Sequence, residues 1–121
     1  LLKERFGYVV TEYGPDDSTA VDYPDIAKEV TRDVYLGRAH YGILICGTGI
    51  GMSMVANRNK HIRAALCTDS SHAVLTRQHN NANVLCLGAR TTSDDEIERI
   101  VVDFFNTDYE GGRHDNRLAK F

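Results

Sequence analysis

Short apolar runs alternate with helix-forming stretches along this chain, and that alternation constrains its fold more than any other feature. Tyr8-Val9-Val10 reads as a short strand, closed by a turn cluster at Gly14-Pro15-Asp16-Asp17. Asp22 is placed to cap a helix over residues 22–38, with Pro24 in the first turn and Gly37 near the end. Ile26, Val30 and Val34 recur at helical spacing on one face of it. Residues 42–46, Gly-Ile-Leu-Ile-Cys, have the continuous apolar character of a strand buried in a parallel sheet. Beyond a glycine loop the pattern predicts a helix over 53–57, a strand over 62–67, a helix over 70–79 and a strand over 83–88. Ser93 and Glu96 form a capping box for a last long helix carrying Ile97, Ile100, Val101 and Phe104. Strands alternating with helices imply βαβ units. The expected fold is α/β, a doubly wound, Rossmann-like parallel sheet with helices on both faces, in three layers. Residues 1–121 are expected to form one domain. The opening Leu1-Leu2-Lys3-Glu4-Arg5-Phe6-Gly7 reads as the end of a helix, so an opening strand and most of a helix are expected to precede it.

Charge and cysteine content exclude several classes of function. Fourteen basic against seventeen acidic residues give a formal charge of −3, whereas proteins that bind nucleic-acid backbones are clearly basic. A small anionic ligand needs only a local positive site and stays compatible. The longest apolar stretches, Ile43-Leu44-Ile45-Cys46 among them, fall far short of the ~20 residues of a membrane span. Cys46, Cys67 and Cys86 are odd in number and lack a CxxC pair, which reads as reduced thiols in a cytoplasmic protein. Cys67 and Cys86 are expected to be buried as small hydrophobes. His40, His61 and His72 have no partner pattern, and no histidine–cysteine spacing fits zinc, so no metal is expected.

Three stretches carry chemistry. In Cys46-Gly47-Thr48-Gly49-Ile50-Gly51 the alternating glycines let backbone N–H groups turn into one concavity at a strand end, an anion cradle. It is neither a P-loop, lacking the lysine, nor the dinucleotide fingerprint, whose spacing is GxGxxG. Cys46 at its mouth is expected to be offered as a thiolate, able to act as nucleophile or base. Arg77-Gln78-His79-Asn80-Asn81-Ala82-Asn83 places a histidine and three asparagines at a helix end just before a strand, where a pocket is expected. In Glu110-Gly111-Gly112-Arg113-His114-Asp115-Asn116-Arg117, Arg113 and Arg117 share a helix face. Their natural occupant is a phosphate, which matches the guanidinium fork.

Together with Asp22-Tyr23-Pro24, Ile62-Arg63-Ala64-Ala65, Asn83-Val84-Leu85 and Gly88-Ala89-Arg90, these stretches resemble the ribose-5-phosphate isomerase B family of the ribose/galactose isomerases. The motifs follow the family's order through nearly the whole chain. The resemblance implies an aldose–ketose isomerase that interconverts ribose 5-phosphate and ribulose 5-phosphate through an enediolate, without metal or organic cofactor. Cys46 matches the base that moves a proton between C1 and C2, and Thr48 the residue assisting proton movement at the neighbouring oxygens. Gly47, Gly49, Ile50 and Gly51 match the backbone hole for the enediolate. His79 matches the residue that opens the sugar ring, with Asn80 beside the substrate. Arg90, Arg113 and Arg117 match phosphate-binding arginines, and Tyr23 a pocket wall. The family implies a homodimer or tetramer whose sites draw on two subunits, serving the pentose phosphate pathway.

Met52 stands where a second branch of the family has a glutamate base, which assigns this chain to the cysteine type. An Asp-His pair ending the family's opening strand has no counterpart in the chain. Galactose 6-phosphate or another sugar phosphate is the alternative substrate. A non-catalytic sugar-phosphate-binding subunit or a thiol nucleophile is the alternative class.

Overall fold

The computed structural model describes residues 1–14 and 22–121. Three parallel strands, β1 (Gly42–Cys46), β2 (Ala64–Leu66) and β3 (Val84–Gly88), form one sheet in the order β1-β3-β2. Gly42 to Cys46 lie opposite Val84 to Gly88, and Ala64 to Leu66 opposite Val84 to Cys86. All five residues of β3 are buried, as expected of a central strand covered on both faces.

Alternate β3 side chains feed two cores. Val84 and Cys86 join Leu44 of β1 beneath α2 (Tyr23–Tyr35) and α3 (Ile50–Ala56), where Ala27, Val30, Met52 and Ala56 are buried. Leu85 and Leu87 face α4 (Ser70–Asn80) and α5 (Asp94–Phe105), packing with Ala73, Ile100, Val101 and Phe104. The result is the expected doubly wound α/β arrangement, a sheet between two helical layers. A short α1 (Leu2–Phe6) opens the chain and α6 (Arg113–Leu118) lies near its end. No helix among the described residues is long and apolar enough to cross a membrane.

Several local expectations are corrected. Tyr8-Val9-Val10 is not a strand. The Tyr8 ring packs on Phe6 and Phe105 while Val9 is 98% exposed, so the segment wraps a helix end instead of joining a ladder. Of the turn cluster that follows it, Pro15, Asp16 and Asp17 lie outside the described residues. The first long helix ends at Tyr35 rather than Arg38. Ser93 caps α5 by accepting from the Glu96 N–H at 3.2 Å, but the box is only half made. The Glu96 carboxylate instead accepts from the Ser70 N–H at 3.0 Å and from Arg99, tying the start of α4 to α5.

Arg77 is the unusual core residue, a guanidinium only 6% exposed. Its Nη1 donates to the Ala82 carbonyl at 2.7 Å and to Asn81 Oδ1 at 3.0 Å, and its Nε to the Thr107 carbonyl at 3.2 Å. The cation lies against the Tyr41 and Phe104 rings, a desolvated arrangement that favours arginine. Arg77→Met leaves those carbonyls without their charged donor. It is expected to destabilise the fold by about 2–4 kcal/mol, read from urea unfolding.

Candidate active site

β1 ends at Cys46, and the chain turns through Gly47-Thr48-Gly49 directly into α3. The helix therefore starts three residues before the expected residue 53. Gly49 makes this possible. It sits in the left-handed region at φ 79°, and a Cβ there would stand 2.6 Å from Leu66 Cδ1 and 3.0 Å from the Leu87 carbonyl. The turn is tied to the end of β3, where the Ala89 and Arg90 N–H groups donate to the Cys46 and Gly47 carbonyls, each at 2.9 Å.

This turn organises the thiol. The Gly49 N–H donates to Cys46 Sγ at 3.2 Å, and the Ile50 N–H to Thr48 Oγ1 at 3.2 Å. Cys46 is half-buried, and Thr48 and Ile50 are exposed. Tyr23, from the first turn of α2, lays its phenol on Gly51, where any side chain would collide with it. The Arg90 side chain runs beside Gly47, its Cδ 3.3 Å from where a Cβ would be. Tyr23, Cys46, Gly47, Thr48, Gly49, Ile50, Gly51 and Arg90 thus form one group, at the carboxyl end of the strands where open α/β sheets bind ligands. Cys67 and Cys86 are buried in the core, and that burial pushes both thiols up to about 12, which fits inert packing.

The remaining candidate residues form a second group at the opposite end of the sheet. His79 and Asn80 close α4, and an antiparallel helix that leads into a strand ends at that strand's amino end. The pocket expected there from sequence is therefore not continuous with the Cys46 turn within one chain. The groups are separated by the length of β3, roughly 13 Å at ~3.3 Å per residue. Two of the three asparagines are structural. Asn81, left-handed at φ 47°, and Asn83 anchor Arg63 and Arg77 through their amide and carbonyl oxygens.

His79 is accompanied by a residue to which the sequence assigned no role. Its ring stacks on that of His114 at 4.5 Å and 20°. Glu110 Oε1 lies 3.7 Å from Nε2 of each. The motif that contains His114 was visible, but its burial at 4% exposure is a property of α6 docking on α4. Arg113 and Arg117 of α6 are exposed on the same side. The ligand atoms of His79, Glu110 and His114 lie within 4.8 Å of one another, a separation a metal could bridge. Rings so nearly parallel keep their lone pairs in separate planes, however, and two arginines add positive charge beside them.

Burial, reinforced by His79, Arg113 and Arg117, holds the His114 imidazole below its usual 6.5, against an opposing pull from Glu110. The unfolded chain then takes up this proton at higher pH than the folded one. Stability is expected to be fully present above about 6.5 and to fall as the pH drops below it. A urea midpoint measured from pH 7.5 to 5 checks this, and His114→Gln is expected to flatten that portion of the dependence.

A strand-end thiol under a glycine turn, with an arginine beside that turn, lies where a doubly wound sheet binds ligands. The chain belongs to the Ribose/Galactose Isomerase family, whose pattern it matches over residues 1–121. Within that family it is similar to ribose-5-phosphate isomerase B of Escherichia coli K12, with 43% identity over 117 residues, 97% of this chain and 78% of that protein. The structure of Clostridium thermocellum ribose-5-phosphate isomerase B superposes with a TM-score of 0.93 at 42% identity, covering 97% of this chain and 79% of that one. The type B ribose 5-phosphate isomerase of Trypanosoma brucei gives 0.87 at 52% identity, over 89% and 73%.

Proposed function

We propose that this isomerase, as a single domain over residues 1–121, interconverts ribose 5-phosphate and ribulose 5-phosphate through an enediolate, with Cys46 as the base. The observation that carries this reading is the Cys46 sulfur, half-buried at the strand end with the Gly49 N–H aimed at it. Removing a proton next to a carbonyl develops negative charge on oxygen, so a base and an oxyanion site are needed together. A positioned base contributes about 10²–10⁴-fold and one oxyanion donor on the order of 10²–10³. The turn supplies both within a few residues: Cys46 takes the proton from one carbon and returns it to the other, and the backbone from Gly47 to Gly51 holds the enediolate. Thr48 assists proton movement at the oxygens. Tyr23 walls the pocket, and Arg90 binds phosphate.

His79 opens the furanose ring, and that step breaks the bond between C1 and the ring oxygen. It must therefore occur within a few ångströms of the carbons Cys46 serves. A His79 roughly 13 Å away across its own sheet cannot do this. We assign the second group to the Cys46 site of another copy, in a homodimer or a tetramer built of such pairs. The second copy supplies His79 and Asn80, with Arg113 and Arg117 on the phosphate. Its three free thiols fit a reducing compartment, and we assign the protein to the cytoplasm, within pentose phosphate metabolism.

The test is ketose formation by the purified protein from ribose 5-phosphate, with galactose 6-phosphate and allose 6-phosphate as competitors. Ribose 5-phosphate is expected to show the highest kcat/KM. Faster turnover of a hexose phosphate would move the substrate assignment to that sugar.

A further inference from the structure

We propose that Glu110 and His114 are positioning residues for His79, the carboxylate fixing which ring nitrogen carries the proton and the stacked imidazole fixing the plane of the ring. The inference rests on reading His79 as the ring-opening group and extends it to two residues that carry no role in that reading.

The geometry gives each residue a distinct task. Glu110 Oε1 lies 3.7 Å from Nε2 of both histidines, beyond hydrogen-bond length but within ion-pair reach. One carboxylate thus serves two rings. The rings stack at 4.5 Å and 20°, so the buried His114 fixes the plane in which the His79 ring lies. The groups facing His114 are His79 from α4, Arg113 and Arg117 from α6, and Glu110 from the loop before α6. Asp115 on α6 is engaged by the Tyr109 hydroxyl at 2.7 Å. His114 is buried and flanked by two arginines, while His79 is partly exposed at the surface. His114 is therefore the buried plate against which the partly exposed His79 is held, with Glu110 at the Nε2 edge of both rings.

Such a cluster matches what ring opening demands. The bond between C1 and the ring oxygen breaks, the ring oxygen gains a proton, and the C1 hydroxyl loses one. His79 can give its proton to the first oxygen and recover one from the second, leaving no net change on the protein. This requires a single imidazole held in one tautomer and facing one way.

The primary isotope effect separates positioning from simple structural support. The overall equilibrium constant is fixed, so kcat/KM must fall by the same factor in both directions in any variant. Ribose 5-phosphate is mostly a ring, so its ring must open before the proton at C2 can move. In Glu110→Gln and His114→Phe, kcat/KM for ribose 5-phosphate is expected to fall about 10-fold or more. The isotope effect from deuterium at C2 is expected to shrink below that of the parent, because slowed ring opening masks the proton transfer. Glu110→Asp should recover part of the rate. No loss of rate, or a loss with the isotope effect undiminished, would overturn the proposal. The 15N shifts of His79 read the coupling without activity. One dominant tautomer in the parent that becomes a mixture in Glu110→Gln supports it, and an unchanged pattern overturns it. A parent that turns over neither sugar phosphate refutes the isomerase reading itself, and the 15N result then decides the positioning claim alone.

Discussion

Cys46→Ala is expected to lower kcat for ribose 5-phosphate by about 10²–10⁴-fold while leaving KM close to that of the parent. The side chain is small and half-buried, and alanine fits the strand end. Its removal costs the fold the Gly49 N–H to sulfur bond and a small packing contact with the core beneath α2 and α3. The oxyanion turn, Tyr23 and Arg90 are untouched, so the sugar phosphate still binds and only proton transfer is lost. Cys46→Ser retains shape and polarity but replaces the thiol by a far weaker acid, and it is expected to be nearly as slow. Ketose formation and equilibrium binding of ribose 5-phosphate, measured on the same preparations, check both halves. A variant that binds poorly but turns over normally at saturation would assign Cys46 to binding.

Mixing Cys46→Ala with His79→Ala subunits should restore activity that neither variant has alone in the ribose 5-phosphate direction. The Cys46 turn and the His79 cluster lie at opposite ends of one sheet, so the proposed site would take its thiol from one copy and its imidazole from another. After reassortment of equal amounts about half of the dimers are mixed, and each carries one intact site and one doubly impaired site. About a quarter of the parent's specific activity is the expected recovery. Mixed dimers verified by mass spectrometry and still inactive would place both groups in one chain's site.

The layered fold was legible because its signals are local. Apolar runs at 42–46 and 83–88 stand between helices whose apolar faces repeat at helical spacing, and β1, β3, α2, α4 and α5 formed close to where that pattern put them. Tyr8-Val9-Val10 has the composition of a strand but no ladder to join, and its aromatic ring found Phe6 and Phe105 instead. The early start of α3 depends on a left-handed Gly49 wedged against Leu66 and Leu87, contacts that spacing along the chain does not reveal.

The site was half legible. Glycine alternation after an apolar run marks a strand-end turn, so Cys46 and its neighbours could be found from composition and order alone. His79 does not lie beside Cys46 within one chain for a topological reason: residues just before a strand lie at its amino end, away from the crevice. The pairing of His79 with His114, and the burial of Arg77 among carbonyls and rings, arise from docking of α6 and α5 on α4. Neither leaves a signature in local sequence.

The most direct test of the central claim is turnover of ribose 5-phosphate in D2O, followed by NMR of the product. Proton transfer through Cys46 predicts ribulose 5-phosphate whose C1 carries both hydrogen transferred from C2 and solvent deuterium taken up where the thiol exchanges first, with product and label lost together in Cys46→Ala. Ribose 5-phosphate left unconverted by the parent, or ketose formed at the same rate by Cys46→Ala, would contradict the account.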